Sequence, residues 1–281
     1  MILRYPGGKS KLLSHITPHI TEQIEQNENI LNYCEPFIGS GAVTYNILKK
    51  KNHIKKIILN DKDYTLSCLW NSILFDFEEL EEKILHYQPS VVDFFHFKEV
   101  LTRSEESLLE ENKVDLSLKK LAIHQMSYSG LGVRAGGPIG GKKQKSSYNI
   151  SCRWSPKSII KKFTRLRRTL LEYQISSNKV YCMDYKKIIK KANEHTIMYL
   201  DPPYYLKGRD MYACSFNDKD HEELAQALFH TKSKWILSYD DCEEIKDLYK
   251  WTYISDFDAK YYIKTIRNKK EILIFSPNYR D

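Results

Sequence analysis

Short apolar runs alternate with helical stretches along this chain, and that alternation narrows the fold more than any other feature. Strand-like runs lie at 30–34, 57–60, 180–183, 197–200, 235–238, 253–255, 261–264 and 272–275, each bounded by polar or turn-forming residues. Apolar residues at three and four spacing predict helices over 11–26, 41–51, 64–75, 78–88, 93–103, 116–128, 156–171, 185–193, 220–231 and 243–249. Ser155-Pro156 and Asn217 supply start signals for two of them. Strands separated by helices predict an α/β fold with a mixed, mainly parallel, doubly wound sheet. From 64 to 176 the alternation stops and only helix and loop remain, which reads as an insertion. The expected organisation is therefore a discontinuous domain, 1–63 with 177–281, interrupted by a helical one, 64–176. Residues 130–147 carry six of the eleven glycines and read as the loosest loop.

The size, 281 residues, allows a sizeable core. With 42% hydrophobic and 28% charged residues the composition excludes collagen, a disordered chain and a coiled-coil rod. No apolar run approaches the roughly 18 residues that span a bilayer, and the start, MILRYPGGKS, lacks an apolar signal core, so a cytoplasmic location is expected. Six cysteines stand singly, without a C-x-x-C pair, which argues against structural zinc and stapling disulfides and predicts small buried apolar residues. No metal site is expected.

Net charge is +8, unevenly spread. Lys142 to Lys191 contains fifteen Lys/Arg and two acids, whereas Asp76 to Glu111 contains eleven acids and three bases. The basic stretch also holds Tyr148, Trp154 and Phe163. Cations with aromatics among them suit a surface that tracks phosphates and stacks bases, although a solvated helix face such as KKFTRLRR fits part of it.

The peptide EPFIGSGAVTYNI (35–47) follows a strand-like run and opens a helix, placing Gly39 and Gly41 in a tight turn where a ligand can approach the backbone. Asp61 follows twenty residues after Gly41, at the end of IILND, where a carboxylate can accept from ribose hydroxyls. Position 44 is Thr, so the third glycine of a dinucleotide fingerprint is missing; an adenosine ligand without a pyrophosphate remains. PGGKS (6–10) is not a phosphate loop, because Leu3 stands where the first glycine belongs.

Asp201-Pro202-Pro203-Tyr204 directly follows the run IMYL. A carboxylate at a strand end, then two prolines that fix φ and cannot donate, forms a rigid acceptor-rich wall with an aromatic beside it. Asp201 and a backbone carbonyl of the proline turn can accept both N–H bonds of an adenine N6 amine while Tyr204 stacks on the ring. Those bonds draw the nitrogen lone pair out of conjugation, and it can attack an electrophilic methyl group.

Together R-Y-P-G-G-K (4–9), E-P-F-I-G-S-G (35–41), L-N-D (59–61) and D-P-P-Y (201–204) resemble the Dam-like, D12 class DNA adenine-N6 methyltransferases over nearly the whole chain. The resemblance implies a Rossmann-like S-adenosylmethionine-dependent methyltransferase fold with a helical target-recognition insertion. It implies S-adenosylmethionine contacts at Tyr5, Lys9, Asp61 and Asp201, with Phe37, Gly39 and Gly41 around the cofactor. Catalysis falls to Asp201, Pro202, Pro203 and Tyr204. Ser238-Tyr239-Asp240 and the stretch from Arg267 to Glu271 resemble the family's short polar motif and C-terminal hairpin. Where the commonest Dam pattern reads N-G-L-x-R-Y-N this chain has S-G-L-G-V-R-A-G-G, so the likeness does not extend to a GATC site.

The expected reaction is methyl transfer to a flipped adenine in double-stranded DNA, with Arg134, Lys142, Lys143, Lys145, Arg153 and Lys157 as candidate DNA contacts, joined by Lys161 and Lys162. An RNA adenine methyltransferase and a non-catalytic DNA-binding regulator remain the alternatives. A cytosine-C5 enzyme lacks its Pro-Cys nucleophile here.

Overall fold

The computed structural model describes residues 2–3, 9–50, 52–206, 216–263 and 265–280. The chain divides into two compact units: Lys9–Ile38, Ala42–Lys62 and Tyr173–Asp281 form one, and Met1–Gly8, Gly39–Gly41 and Asp63–Glu172 form the other.

The first unit is built on a seven-stranded sheet. In chain order its strands are β1 (Asn32–Glu35), β2 (Lys56–Leu59), β3 (Gln174–Ile175), β4 (Thr196–Leu200), β5 (Lys234–Asp240), β6 (Tyr253–Ile263) and β7 (Thr265–Phe275). Across the sheet they run β3-β2-β1-β4-β5-β7-β6, parallel from β3 to β5 and antiparallel through β7 and β6. This is the expected mainly parallel α/β sheet. Its helices are α1 (Leu13–Gln26), α2 (Ala42–Leu48), and the three that follow β3 in the chain. All five residues of β4 are buried, as a parallel strand covered on both faces requires. The core beside it joins Cys34, Met198, Leu200, Leu224, Trp235, Leu237 and Tyr249.

The second unit contains α3 (Tyr64–Leu74), α4 (Phe77–His86), α5 (Val91–Val100), α6 (Glu105–Leu109), α7 (Lys113–Met126) and α8 (Pro156–Leu170), and no strand among its described residues. Its core gathers Phe94, Phe97, Leu116, Ile123, Met126 and Ile150. Asp63 caps α3 by accepting from Leu66 N and pairs at 2.6 Å with Lys120 of α7. Burial pushes the Asp63 carboxyl up, and Lys120 with the capping bonds reverses this, holding it at about 2. In the first unit, α9 (Tyr185–Ile189), α10 (Asp218–Phe229) and α11 (Glu243–Leu248) complete the helices named here. A capping box between Asn217 and Asp220 starts α10.

Four local expectations differ from the structure. The run 180–183 is no strand: Tyr181 makes one bridge to Asn60, and the Asn60 side chain binds Met183 N and O, so turn contacts replace a ladder. The pairing strand is instead β3, two residues inside a stretch read as helix and loop. The separate runs at 253–255 and 261–264 are one strand of 11 residues, and its partner β7 begins at Thr265. Ser155 bonds the Ser158 hydroxyl rather than a backbone N–H, so α8 starts on Pro156 alone. Cys34, Cys68 and Cys242 are buried as expected, but Cys152 is exposed because it lies on a surface loop; Cys214 falls outside the described residues. No described helix is long and apolar enough to cross a membrane.

Candidate active site

The parallel strands of the first unit end in a row of polar residues: Glu35 closes β1, Asn60 and Asp61 follow β2, Asp201 follows β4, and Asp240 closes β5. Register aligns them, with Glu35 opposite Leu59 and Leu200 opposite Leu237. Ligands of open α/β sheets bind at this carboxyl edge.

Lys9 enters from a short helical turn, Lys9–Lys11, and is buried. Its Nζ lies 2.8 Å from Asp201 Oδ1, donates to the Tyr204 hydroxyl and sits 4.3 Å from the centre of the Tyr204 ring. Ser238 Oγ donates to the same Asp201 oxygen at 3.1 Å, backed by Tyr199 OH at 3.0 Å from Ser238 Oγ. Burial raises the Asp201 carboxyl above its ordinary value, against the pull of Lys9 and with a further push from Glu271. Pro202 and Pro203 are buried, so the turn is fixed both by its own φ and by packing. Asp240 accepts from Tyr205 N at 3.1 Å and from Leu206 N at 2.9 Å, tying the far side of the turn to β5. D-P-P-Y is therefore held by side chains of Lys9, Ser238 and Asp240.

Two buried acids complete the cluster. Glu271 lies on β7 directly opposite Asp240; its Oε2 accepts from Tyr204 OH at 2.8 Å and stands 3.9 Å from Lys9 Nζ. Glu35 accepts from the Tyr33 hydroxyl, and burial pushes its carboxyl up to about 8, helped by nearby Asp201.

At the other strand ends, Asn60 Nδ2 donates to Pro36 O at 2.8 Å and Ile38 N to Asn60 O at 2.8 Å, so the residue before Asp61 binds down the turn after β1. Asp61 is half-buried. The Phe37 ring packs at 5.4 Å from Tyr185 and 5.9 Å from Phe216, forming a half-open aromatic surface. Tyr5 lies outside the described residues.

Gly39 and Gly41 group with the second unit, where Trp70 Nε1 donates to Gly39 O at 3.0 Å. Gly41 has φ +66°, and a Cβ there would stand 2.4 Å from the Trp70 ring, so only glycine fits.

The glycine-rich loop after α7 is bonded by several side chains. Arg153 Nη1 donates to Ser127 O at 3.0 Å and Tyr128 O at 3.3 Å, His124 Nδ1 meets Gly130 O, Lys98 reaches Ala135 O, and Gln144 joins Ile139, Gly141 and Ile150. On its outside Arg134, Lys142, Lys143 and Lys145 are exposed, as are Lys157, Lys161 and Lys162 on α8. Tyr128 and Tyr148 are each 69% exposed.

Sequence reasoning singled out Asp201, Tyr204 and Lys9, and the structure brings these three into contact. It missed Glu35, Asn60 and Tyr128, whose signals were present: the first two sit inside E-P-F and L-N-D, and Tyr128 precedes the glycine-rich loop. Asp240 and Glu271 were marked by family likeness alone, because strand pairing, not sequence proximity, gives them their place.

Comparison with known proteins agrees with this geometry. The family described as D12 class N6 adenine-specific DNA methyltransferase matches residues 5–263. The type II methyltransferase M.MjaIII of Methanocaldococcus jannaschii is 25% identical over 237 residues, covering 80% of this chain and 77% of that protein. The type II methyltransferase M1.LlaDCHI of Lactococcus lactis subsp. cremoris is 23% identical over 204 residues, covering 72% of this chain and 64% of that protein. With the match spanning residues 5–263, nearly the whole chain, the chain belongs to the D12 class N6 adenine-specific DNA methyltransferase family.

Proposed function

We propose that this protein transfers a methyl group from S-adenosylmethionine to the N6 amine of an adenine flipped out of double-stranded DNA, as a site-specific modification enzyme. The single observation that carries the reading is the fixed D-P-P-Y turn. Asp201 Oδ1 is anchored by Lys9 and Ser238, which leaves Oδ2 and the proline-turn carbonyls as acceptors for two N–H bonds. The Tyr204 ring supplies the stacking face.

The donor set fits the cofactor. Asp61 suits the ribose hydroxyls, the Phe37 surface suits an adenine ring, the Gly39 to Gly41 turn suits close approach, and Asp201 suits a cationic methionine end; Tyr5 and Lys9 complete the contacts the family implies. When bound, S-adenosylmethionine supplies an electrophilic methyl on a sulphonium. The chain's own residues orient the amine, hold its N–H bonds and exclude water from the turn. No covalent protein nucleophile is needed.

Residues 1–63 with 177–281 act as the catalytic domain, and 64–176 as the DNA target-recognition domain. Arg134, Lys142, Lys143, Lys145 and Lys157 engage the duplex, with Lys161 and Lys162 extending the basic face. Arg153 belongs to the same surface and also shapes the loop that carries it. Tyr128 and Tyr148 offer faces to bases. Extruding the target costs a few kcal/mol, which phosphate contacts offset.

The test is acceptor choice. Incubation with methyl-labelled S-adenosylmethionine should label duplex DNA and leave structured RNA unlabelled. Label in RNA alone would transfer the reading to an RNA enzyme, and calorimetry without cofactor heat would leave a DNA-binding regulator.

A further inference from the structure

The polar residues of the strand-end site share one face of the sheet. Register pairs Tyr33 with Ile197, Tyr199 with Ile236 and Asp240 with Glu271, so alternation turns Glu35, Tyr199, Ser238, Asp240 and Glu271 the same way, with Asp201 next in line after β4. Tyr199 and Ser238 are both buried, and their hydrogen bonds form a chain with one direction. Tyr199 OH lies 3.0 Å from Ser238 Oγ, and Ser238 Oγ donates to Asp201 Oδ1 at 3.1 Å. Leu200 O, the other acceptor for that hydroxyl, is farther, at 3.5 Å. A serine has a single proton to give, so Ser238 accepts from Tyr199. Burial, with Asp201 and Glu35 nearby, raises the Tyr199 phenol well above its ordinary value, so it keeps the proton that it donates.

We infer that Tyr199 and Ser238 are positioning residues that hold Asp201 as a carboxylate with Oδ2 turned to the N6 amine as an acceptor. The inference rests on the adenine-amine reading above and deepens it. Lys9 and Ser238 both donate to Oδ1, Lys9 at 2.8 Å. When Asp201 is protonated its hydrogen therefore falls on Oδ2, and the oxygen that must accept from the amine becomes a donor. The groups facing Asp201 pull in both directions. Burial raises its carboxyl, Lys9 lowers it, Glu271 of β7 raises it and the Ser238 bond lowers it. Glu35 of β1 is near enough for Asp201 to help raise it in turn. Asp240 of β5 accepts from Tyr205 N and Leu206 N, and Tyr204 OH donates to Glu271, so both acids are tied to the same turn. Against burial and a neighbouring acid, a hydroxyl already fixed in its donating direction needs no reorganisation when the amine arrives.

Ser238→Ala removes the donor, and Tyr199→Phe removes only the oxygen behind it. At saturating cofactor and duplex DNA, the acid limb of the single-turnover rate should move up by about one pH unit in Ser238→Ala, the scale of one hydrogen bond to a charged group. On that limb the variant should be roughly tenfold slower, and at alkaline pH, where Asp201 is ionised in either protein, it should approach the wild-type rate. Tyr199→Phe should move the limb the same way by less, because the Ser238 hydroxyl is then free to turn to Leu200 O. The double variant should match Ser238→Ala, since Tyr199 acts through Ser238, whereas independent structural damage would add. A second readout needs no turnover. In NMR of protein isotope-labelled at its aspartate carboxyl carbons, the resonance missing from Asp201→Asn is that of Asp201, and it should titrate at higher pH in both variants than in the wild type. Should Ser238→Ala fail to fold, Tyr199→Phe alone carries the comparison. Acid limbs that coincide, rates lowered by one factor at every pH, or an unchanged Asp201 titration would each overturn the inference. If the wild type forms no N6-methyladenine the reaction reading falls, while the carboxyl titration still decides whether Tyr199 and Ser238 govern Asp201.

Discussion

Glu35 shows how burial, acting on one side chain, makes a measurable pH dependence. Its carboxyl titrates near 8 in the folded chain against 4.5 in the open chain, because burial disfavours the charged form. A raised acid is stabilising while protonated, so its contribution is complete below about 4.5 and is lost as pH rises toward 8. Glu35→Gln, which cannot ionise, should therefore gain on the wild type by a few kcal/mol across that window, read from urea unfolding at pH 5 and pH 8. A pH-independent difference would show that Glu35 is not held neutral. At this scale the sequence was most informative where chemistry lies in one short peptide. Asp201 and Tyr204 share a tetrapeptide whose prolines announce its rigidity. Glu271 carries no such sign, being one acid in a hairpin rich in charge.

Elements explain why some of the fold was legible and some not. The β4 run IMYL and the helix at 64–75 declare themselves by period and burial, and both appear within a residue or two of expectation. The hairpin of β6 and β7 does not, because Ser255-Asp256 and R-N-K-K (267–270) set polar residues in succession and break the apolar alternation on which strand reading depends. Its pairing is fixed by β5 through the register Asp240–Glu271, a pairing no local window contains. The turn after β1 makes the opposite case, since its glycines were visible but their reason was not. Gly41→Ala combines φ +66° with a 2.4 Å approach to Trp70 and should cost about 2–4 kcal/mol in thermal or chemical unfolding. A loss under about 0.5 kcal/mol, the range of ordinary surface changes, would mean that Trp70 does not define this turn.

Over the whole molecule the informative quantity is where charge sits, not its sum. The window Lys142 to Lys191 holds fifteen cations and two acids, although the chain carries only +8. Lys142, Lys143 and Lys145 are exposed on the bonded loop, where they can meet phosphates without disturbing the core. Replacing all three by Gln should lower the salt dependence of DNA binding by roughly 2–3 in the slope of log K against log salt, about 0.9 for each phosphate that is no longer neutralised. An unchanged slope would place the duplex elsewhere.

The central claim is that the D-P-P-Y turn directs a methyl group to adenine N6. It is tested most directly by mass spectrometry of nucleosides from unmethylated duplex DNA of varied sequence, incubated with S-adenosylmethionine and either the wild type or Asp201→Ala. The account predicts N6-methyladenine with the wild type and none with Asp201→Ala, which should still bind DNA. N6-methyladenine formed equally by both proteins, or by neither, would contradict it.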